Sequence, residues 1–263
     1  MRIVVKVGTS TLAHKTGCMN IRHVEELCKV LSDLKNAGNE VILVSSGAIG
    51  MGVGKLSLKE RPSDMPTKQA AAAVGQCELM YAYDKLFSEY NHTVAQILLT
   101  GLDLQNPERY KNIKSTMTRL LEMNVLPIIN ENDTISTDEI AVGDNDTMGA
   151  IVAKYMAADL LVLLSDIDGL YTADPRIHPE ATLIHTVEEI TPEIEALAGG
   201  AGSGLGTGGM ATKLLAARIA AGAGVEMVIA NGEHASILYE IVEGRPVGTR
   251  FLARRSARKE ASR

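Results

Sequence analysis

Cysteine is scarce in this sequence. Cys18, Cys28 and Cys77 form an odd, widely spaced set without metal-type pairing, and no secretory signal precedes the first apolar run. A reducing, cytoplasmic setting is the one this usage predicts. Long hydrophobic runs are missing as well. Gly, Asn and Asp break the apolar segments after about six residues, well short of the roughly 20 that a membrane span needs, so no membrane partner is expected. Positive charge is not in excess either, since 26 Lys and Arg stand against 32 Asp and Glu for a formal charge of −6. The last ten residues hold five cations (Arg254, Arg255, Arg258, Lys259 and Arg263) and one anion (Glu260), and removing their +4 leaves −10 for the rest. A body of that charge repels phosphate backbones, so nucleic acid is not an expected partner. The stretch 253–263 reads as a basic, solvated tail.

What is present is enough apolar sequence for a core. With 46% hydrophobic and 22% charged residues over 263 positions, the chain can bury one large α/β domain or two unequal lobes, which argues against disorder. Runs rich in Val, Ile and Leu at 2–7, 40–44, 93–99, 125–130, 159–164 and 225–230 alternate with helical patterns at 21–34, 67–89, 107–124, 145–157 and 208–223. That alternation predicts a mainly parallel sheet covered on both faces. In the first long helix Asn20 is the N-cap, Ile21, Val24, Leu27, Cys28, Leu31 and Leu34 share one face, and Gly38 supplies the stop. Cys28 thereby belongs to the core. The rhythm breaks at 182–187, 192–197 and the Gly-rich 199–209, which places a lobe boundary near 158–175.

Five segments carry candidate chemistry. In Lys6-Val7-Gly8-Thr9-Ser10 a lysine ends an apolar strand, a costly placement unless its ammonium meets an anion or the strand is an edge in water. The backbone N–H groups of Gly8, Thr9 and Ser10 suit phosphate oxygens. Ser45-Ser46-Gly47-Ala48-Ile49-Gly50 follows a strand with residues small enough for a ligand to approach the backbone, although an ordinary tight crossover would read the same. It is not a Walker A loop, because no Gly-Lys-Ser/Thr closes it: Lys55 is followed by Leu56. Asn130-Glu131-Asn132-Asp133 ends another strand and Gly143-Asp144-Asn145-Asp146 opens a helix; capping explains one of these but not both, and carboxyl ends of strands are where open α/β sheets bind ligands. Ser165-Asp166-Ile167-Asp168-Gly169 is a polar turn after a strand, with turn and ligand readings both open. In Gly204-Leu205-Gly206-Thr207-Gly208-Gly209-Met210-Ala211-Thr212-Lys213, flexible amides and a lysine on the first helical turns suit a nucleotide polyphosphate, the rival being a plain linker.

Taken together and in this order, with Gly169-Leu170-Tyr171-Thr172-Ala173-Asp174-Pro175-Arg176 as a further match, these segments resemble the amino-acid-kinase family, in its glutamate-phosphorylating branch, from Lys6 to about Leu252. The resemblance implies an open αβα sandwich. It also implies a kinase domain over 1–252, with an amino-acid lobe at about 1–158 and an ATP lobe at about 159–252; many bacterial relatives carry a further C-terminal PUA domain, and this chain stops before one. It carries over Lys6 and Lys213 as the pair that neutralises the transferring phosphoryl group, with Asp146 organising both ammonium groups. Ser46, Gly47, Asp133 and Asn145 match glutamate-binding positions. Lys6, Gly8, Thr9, Ser165, Asp166, Thr207, Gly208, Gly209, Met210, Ala211, Thr212 and Lys213 match ATP-binding ones. Mg²⁺ is implied with ATP, and no protein ligands to it are indicated, so phosphates and water are expected to hold it.

The implied activity is ATP-dependent phosphorylation of the γ-carboxylate of L-glutamate, the entry to proline synthesis in this family. Proline as a feedback inhibitor, handover of the labile product to glutamyl-phosphate reductase and a homo-oligomeric state follow from the same resemblance. The rivals on the same fold are acetylglutamate, aspartate, carbamate and uridylate kinases; the acidic 130–133 segment suits an ammonium better than the phosphate of a nucleotide acceptor. A nucleotide- or proline-sensing module without turnover is the rival of another class. Such a module has no need of phosphoryl-transfer cations.

Overall fold

The computed structural model describes residues 1–14, 16–136, 145–198 and 209–253. Strand β1 (Arg2–Val7) is apolar on both faces, with Ile3, Val4, Val5 and Val7 fully buried. Side chains alternate along a strand, so β1 is shared between two cores. Ile3, Val5 and Val7 join one, and Val4 joins the other. Lys6 has the parity of Val4.

The chain continues through α1 (Thr9–Leu12), α2 (Ile21–Asn36), β2 (Glu40–Val44), α3 (Ala48–Lys55), α4 (Met65–Ser88), β3 (Val94–Leu99), α5 (Gly101–Gln105), α6 (Pro107–Glu122), β4 (Leu126–Glu131) and α7 (Asn145–Tyr155). There follow β5 (Leu160–Ser165), β6 (Thr186–Val187), α8 (Pro192–Ala196), α9 (Met210–Gly222), β7 (Glu226–Asn231), α10 (Ile237–Val242) and β8 (Thr249–Phe251). Eight strands form one sheet in the order β3-β4-β2-β1-β5-β7-β8-β6. Every pairing is parallel except β7 with β8. Buried residues of α2, α4 and α10 cover one face, and those of α6, α7 and α9 cover the other. No helix among the described residues is long and apolar enough to cross a membrane.

The expected α/β sandwich is therefore the observed one, with β1 in the centre of the sheet rather than at an edge. Strands expected at 125–130, 159–164 and 225–230 run one residue later at both ends. Ladder bonds are made by backbone groups, so the pairings Leu99↔Glu131 and Ser165↔Asn231 carry the sheet onto polar residues that an apolar run does not mark. Helix α4 starts two residues before the expected 67, because the Asp64 side chain accepts from Thr67 N at 2.9 Å and caps it. Cys28 is buried on α2, where desolvation, reinforced by Glu25, pushes its thiol pKa up.

Helix α3 was legible only as a small-residue turn, since Gly50, Gly52 and Gly54 weaken helical propensity. Tertiary contact outweighs that weakness. A Cβ at Gly52 would stand 1.8 Å from the Ala71 carbonyl oxygen, and one at Gly75 would stand 1.8 Å from the Ala48 carbonyl oxygen. Helices α3 and α4 thus meet backbone to backbone. Gly75→Ala should lower the unfolding free energy by about 2 kcal/mol or more, through overpacking that neither helix can relieve. A urea midpoint equal to that of the unaltered protein would show that the approach is looser than this.

Candidate functional site

Six strands, all but β6 and β8, point one way, so the turns after β1, β2, β4, β5 and β7 lie along one edge of the sheet, where open α/β sheets bind ligands. Strand parity directs Lys6 toward the face covered by α7 and α9. A Cβ added to Gly149 of α7 would lie 3.5 Å from Lys6 Cβ, so the helix crosses directly over the lysine. One turn earlier on α7, Asp146 Oδ1 lies 2.5 Å from Lys6 Nζ. Lys213 reaches the same carboxylate from α9, with its Nζ 2.9 Å from Asp146 Oδ2. Asp146 is fully buried, while Lys6 and Lys213 are 8% and 3% exposed.

Burial alone would raise the Asp146 pKa. The charges of Lys6 and Lys213, with their hydrogen bonds, outweigh that and hold the carboxyl below its ordinary value. Together the three side chains carry a net positive charge in a buried place, an arrangement that favours an anion at the sheet edge. Gly8 sits against the Lys6 ammonium, since a Cβ there would be 3.8 Å from Lys6 Nζ. Thr9 opens the short α1 and is exposed.

The second cluster is built from neutral amides and hydroxyls. Asn145, the first residue of α7, donates from Nδ2 to the Ser45 carbonyl at 2.8 Å, to Ser46 Oγ at 2.8 Å and to Asn130 Oδ1 at 3.1 Å. The Ser45 carbonyl can only accept, which fixes which end of the Asn145 amide faces it. Asn145 Oδ1 is buried, and no donor reaches it among the described residues. Asn130 Oδ1 also accepts from Glu131 N at 2.9 Å, and Asn130 Nδ2 donates to Gln76 Oε1 at 2.8 Å. Gly47 holds a φ of 94°, in the left-handed region that glycine allows, and so turns the chain from β2 into α3.

Asp133 lies in the turn beyond β4. Desolvation, and then the neighbouring Glu131, raise its pKa to about 6, with Arg61 opposing. On the other side of β1, Ser165 is buried at the end of β5 and donates from Oγ to Asp166 Oδ1 at 3.1 Å, leaving Asp166 exposed. At the start of α9, Gly209 caps the helix ahead of Met210 and Ala211. Its carbonyl accepts from Thr212 Oγ1 at 2.7 Å and from Lys213 N at 3.3 Å. Thr207 and Gly208, like Gly143 and Asp144, lie outside the described residues.

The structure thus brings Lys6, Asp146 and Lys213 together, and separately Ser46 and Asn145 with Asn130. Sequence reasoning left out Asn130, Gln76 and Tyr83 as individual residues. Asn130 was visible within its motif. Gln76 and Tyr83 gave no signal beyond ordinary positions on a long helix. Among the described residues no group of three His, Cys, Asp or Glu side chains converges, and Asp146 is engaged by two ammonium groups. This donor set does not fit a protein-built Mg²⁺ cage.

A sequence profile of the amino acid kinase family matches residues 1–231. The chain belongs to that family. Among its relatives in the family, the glutamate 5-kinase of Clostridium perfringens is 53% identical over 258 residues, spanning 97% of this chain and 96% of that protein. The glutamate 5-kinase of Clostridium tetani is 56% identical over 251 residues, spanning 95% and 94%. Among solved structures, carbamate kinase from Giardia lamblia bound to AMP-PNP superposes with a TM-score of 0.68 at 18% identity, covering 96% of this chain and 98% of that one. Isopentenyl phosphate kinase from T. acidophilum gives 0.63 at 17% identity over 95% and 100%. At such identities these two show the shared amino acid kinase fold.

Asp146→Asn removes the anion between two buried ammonium groups and should cost about 3 kcal/mol of stability at pH 7. A carboxyl with a depressed folded pKa contributes stability above its unfolded pKa of about 3.9 and loses it as pH falls through the folded value. The gap between variant and unaltered protein in urea titrations should therefore narrow below about pH 4, and a gap independent of pH would contradict the pairing.

Proposed function

We propose that the protein transfers the γ-phosphoryl group of ATP to the γ-carboxylate of L-glutamate, forming L-glutamyl 5-phosphate for proline synthesis. The observation that carries this reading is the buried Lys6–Asp146–Lys213 cluster beside the Ser46–Asn145–Asn130 cluster, in a chain more than half identical to two clostridial glutamate 5-kinases along nearly its whole length. The neutral cluster belongs to one lobe, and the charged cluster joins the two, Lys6 and Asp146 coming from the first and Lys213 from the second. Residues of about 1–158 form the amino-acid lobe, and those of about 159–252 form the nucleotide lobe.

A glutamate side chain, which titrates near pH 4.3 in water (about 4.3 for an unperturbed carboxyl), is already ionised at neutral pH. No general base is needed. The barrier lies in bringing an anionic nucleophile in line with an anionic phosphoryl group and in stabilising the charge that moves to the leaving ADP. Lys6 and Lys213 supply preorganised positive charge for that purpose, and Asp146 holds both ammonium groups in place. Backbone amides at Gly8 and Thr9 and at the Gly209–Lys213 helix start face the polyphosphate, with Ser165 and Asp166 at the nucleotide's other end. The chain's own donor set would not cage Mg²⁺, which phosphates and water would hold.

On the other side, the Ser46–Gly47 turn and the amides that follow it take the α-carboxylate. The open acceptor of Asn145, together with Asp133, takes the ammonium. Acetylation would remove that charge and leave Asp133 without its partner. Aspartate would fall one methylene short of the phosphoryl group. Proline as a competitor of glutamate, handover to a reductase and a homo-oligomeric state complete the reading and rest on the family resemblance alone. ADP release with hydroxylamine trapping, across glutamate, aspartate, acetylglutamate and carbamate, decides between this activity and its rivals, including a sensor without turnover.

Two further outcomes are expected. Lys6→Ala and Lys213→Ala should each lower kcat by on the order of 10²-fold or more and leave the KM for ATP comparatively unmoved, because the charge they meet is greatest in the transition state; turnover at the unaltered rate would remove both from the mechanism. Asp133 has a raised pKa, so it is protonated below about pH 6 and then presents no charge to an ammonium. The kcat/KM for glutamate, which reports free-enzyme groups, should fall as pH drops through about 6. In Asp133→Asn that inflection should vanish, and its survival would assign it elsewhere.

A further inference from the structure

Helix α4 lies on the face of the sheet opposite Lys213, and yet it sends two polar side chains to the amide cluster. Gln76 and Tyr83 are seven residues apart, two helical turns, and so lie on one face of α4, with buried Leu79 between them. Tyr83 is fully buried, and its hydroxyl lies 2.9 Å from Ser45 Oγ. Ser45, itself 2% exposed, directs its own proton to the Ser46 carbonyl at 3.3 Å. In that pair either hydroxyl can donate, and the Tyr83 hydroxyl does so when Ser45 donates to Ser46. Burial pushes the Tyr83 pKa up, which keeps it protonated.

Gln76 acts on the other side of the cluster. By accepting from Asn130 Nδ2 at 2.8 Å it selects one of the two orientations of that amide. In that orientation Asn130 Oδ1 faces Asn145 Nδ2 and Glu131 N; the opposite one would set donor against donor. Asn145 is then held from two sides, by the Ser45 carbonyl and by Asn130 Oδ1, with its own Oδ1 left as an acceptor. The helix that carries both tethers is itself seated by Gly75 against the Ala48 carbonyl, so α4 fixes both ends of the Ser45–Ala48 turn.

We propose that Tyr83 and Gln76 are positioning residues for the amino-acid substrate, which set the orientation of Ser45, Ser46, Asn130 and Asn145 without touching the substrate themselves. The proposal rests on the glutamate kinase reading given above. It separates recognition from rate: α4 tunes the amino-acid side, while Lys6 and Lys213 meet under α7 and α9 on the opposite face of the sheet.

The test is steady-state kinetics of the full chain with Tyr83→Phe, Gln76→Leu, Ser45→Ala and the Ser45→Ala/Tyr83→Phe double variant, with Tm recorded for each. Tyr83→Phe keeps the ring and its packing. It should raise the KM for glutamate about fivefold, the worth of one buried hydrogen bond, with kcat and the KM for ATP within about twofold. Gln76→Leu should do the same. In the Ser45→Ala background Tyr83→Phe should add nothing, because its partner is already gone. An unmoved KM for glutamate in Tyr83→Phe, an equal rise for glutamate and ATP, or additive effects in the double variant would each overturn the positioning role while leaving the kinase reading intact. An unaltered protein that releases no ADP in response to glutamate would overturn the kinase reading and this inference with it.

Discussion

The interaction on which the rest of the structure depends is the pair of buried ion pairs that Lys6 and Lys213 make with Asp146. Either ammonium alone, at 8% and 3% exposure, would lose far more in hydration than packing returns. One carboxylate between them makes the burial tolerable, and it does so only if three distant parts of the chain meet. Strand parity must turn Lys6 to the face of Val4, α7 must cross that face closely enough for Gly149 to lie over Lys6, and α9 must run beside α7. The small residues Gly149, Ala150 and Ala153 on α7, and Ala216, Ala217 and Ala220 on α9, permit that proximity. The central position of β1 is as much an electrostatic requirement as a topological one.

The amide cluster obeys a different constraint. It contains no paired charges, and its order comes from donors and acceptors whose directions are mutually exclusive. Ser45 and Ser46 follow β2, Asn130 ends β4, and Asn145 opens α7, so this cluster too exists only because parallel strands deliver their carboxyl ends to one edge. The close seating of α3 on α4 extends the same constraint to the opposite face of the sheet. A helix whose sequence is weakened by three glycines survives because one of them, Gly52, lets its backbone touch that of α4.

Much of this architecture was legible in the sequence, and the reasons for the remainder are physical. Strands β1 and β2 were readable to the residue because each opens on a charged residue, Arg2 or Glu40, runs apolar apart from Lys6, and stops at a small-residue turn. The carboxyl ends of β4, β5 and β7 were not, because Glu131, Ser165 and Asn231 pair through their backbones while their side chains serve the ligand edge. The antiparallel β8 and the two-residue β6 carry too few residues for a period to register. Lys6 stood out as a charge in an apolar strand. Its meeting with Lys213 was suggested by the family resemblance alone, since a separation of 207 positions gives no periodic clue. Tyr83 and Gln76 were silent because a single polar atom on a buried helix face looks the same whether it meets water, a backbone group or the back of a binding site.

The separation between charged and neutral clusters follows from what a phosphoryl-transfer site must accomplish. An amino acid arrives carrying two carboxylates and one ammonium, and strong fixed charges around it would bind the ground state and the transition state alike, gaining affinity without rate. In the proposed site, oriented amides and hydroxyls do most of the holding, with Asp133 for the ammonium, and they lose a great deal when a wrong group leaves one of them unpaired. Fixed positive charge is effective where negative charge shifts during the reaction, between the attacking carboxylate and the departing nucleotide. The proposal puts Lys6 and Lys213 there, held by a carboxylate whose pKa they depress. Under the proposed mechanism, the same cluster that makes the fold costly to assemble is the one that stands ready, before any substrate arrives, for the charge of the transition state.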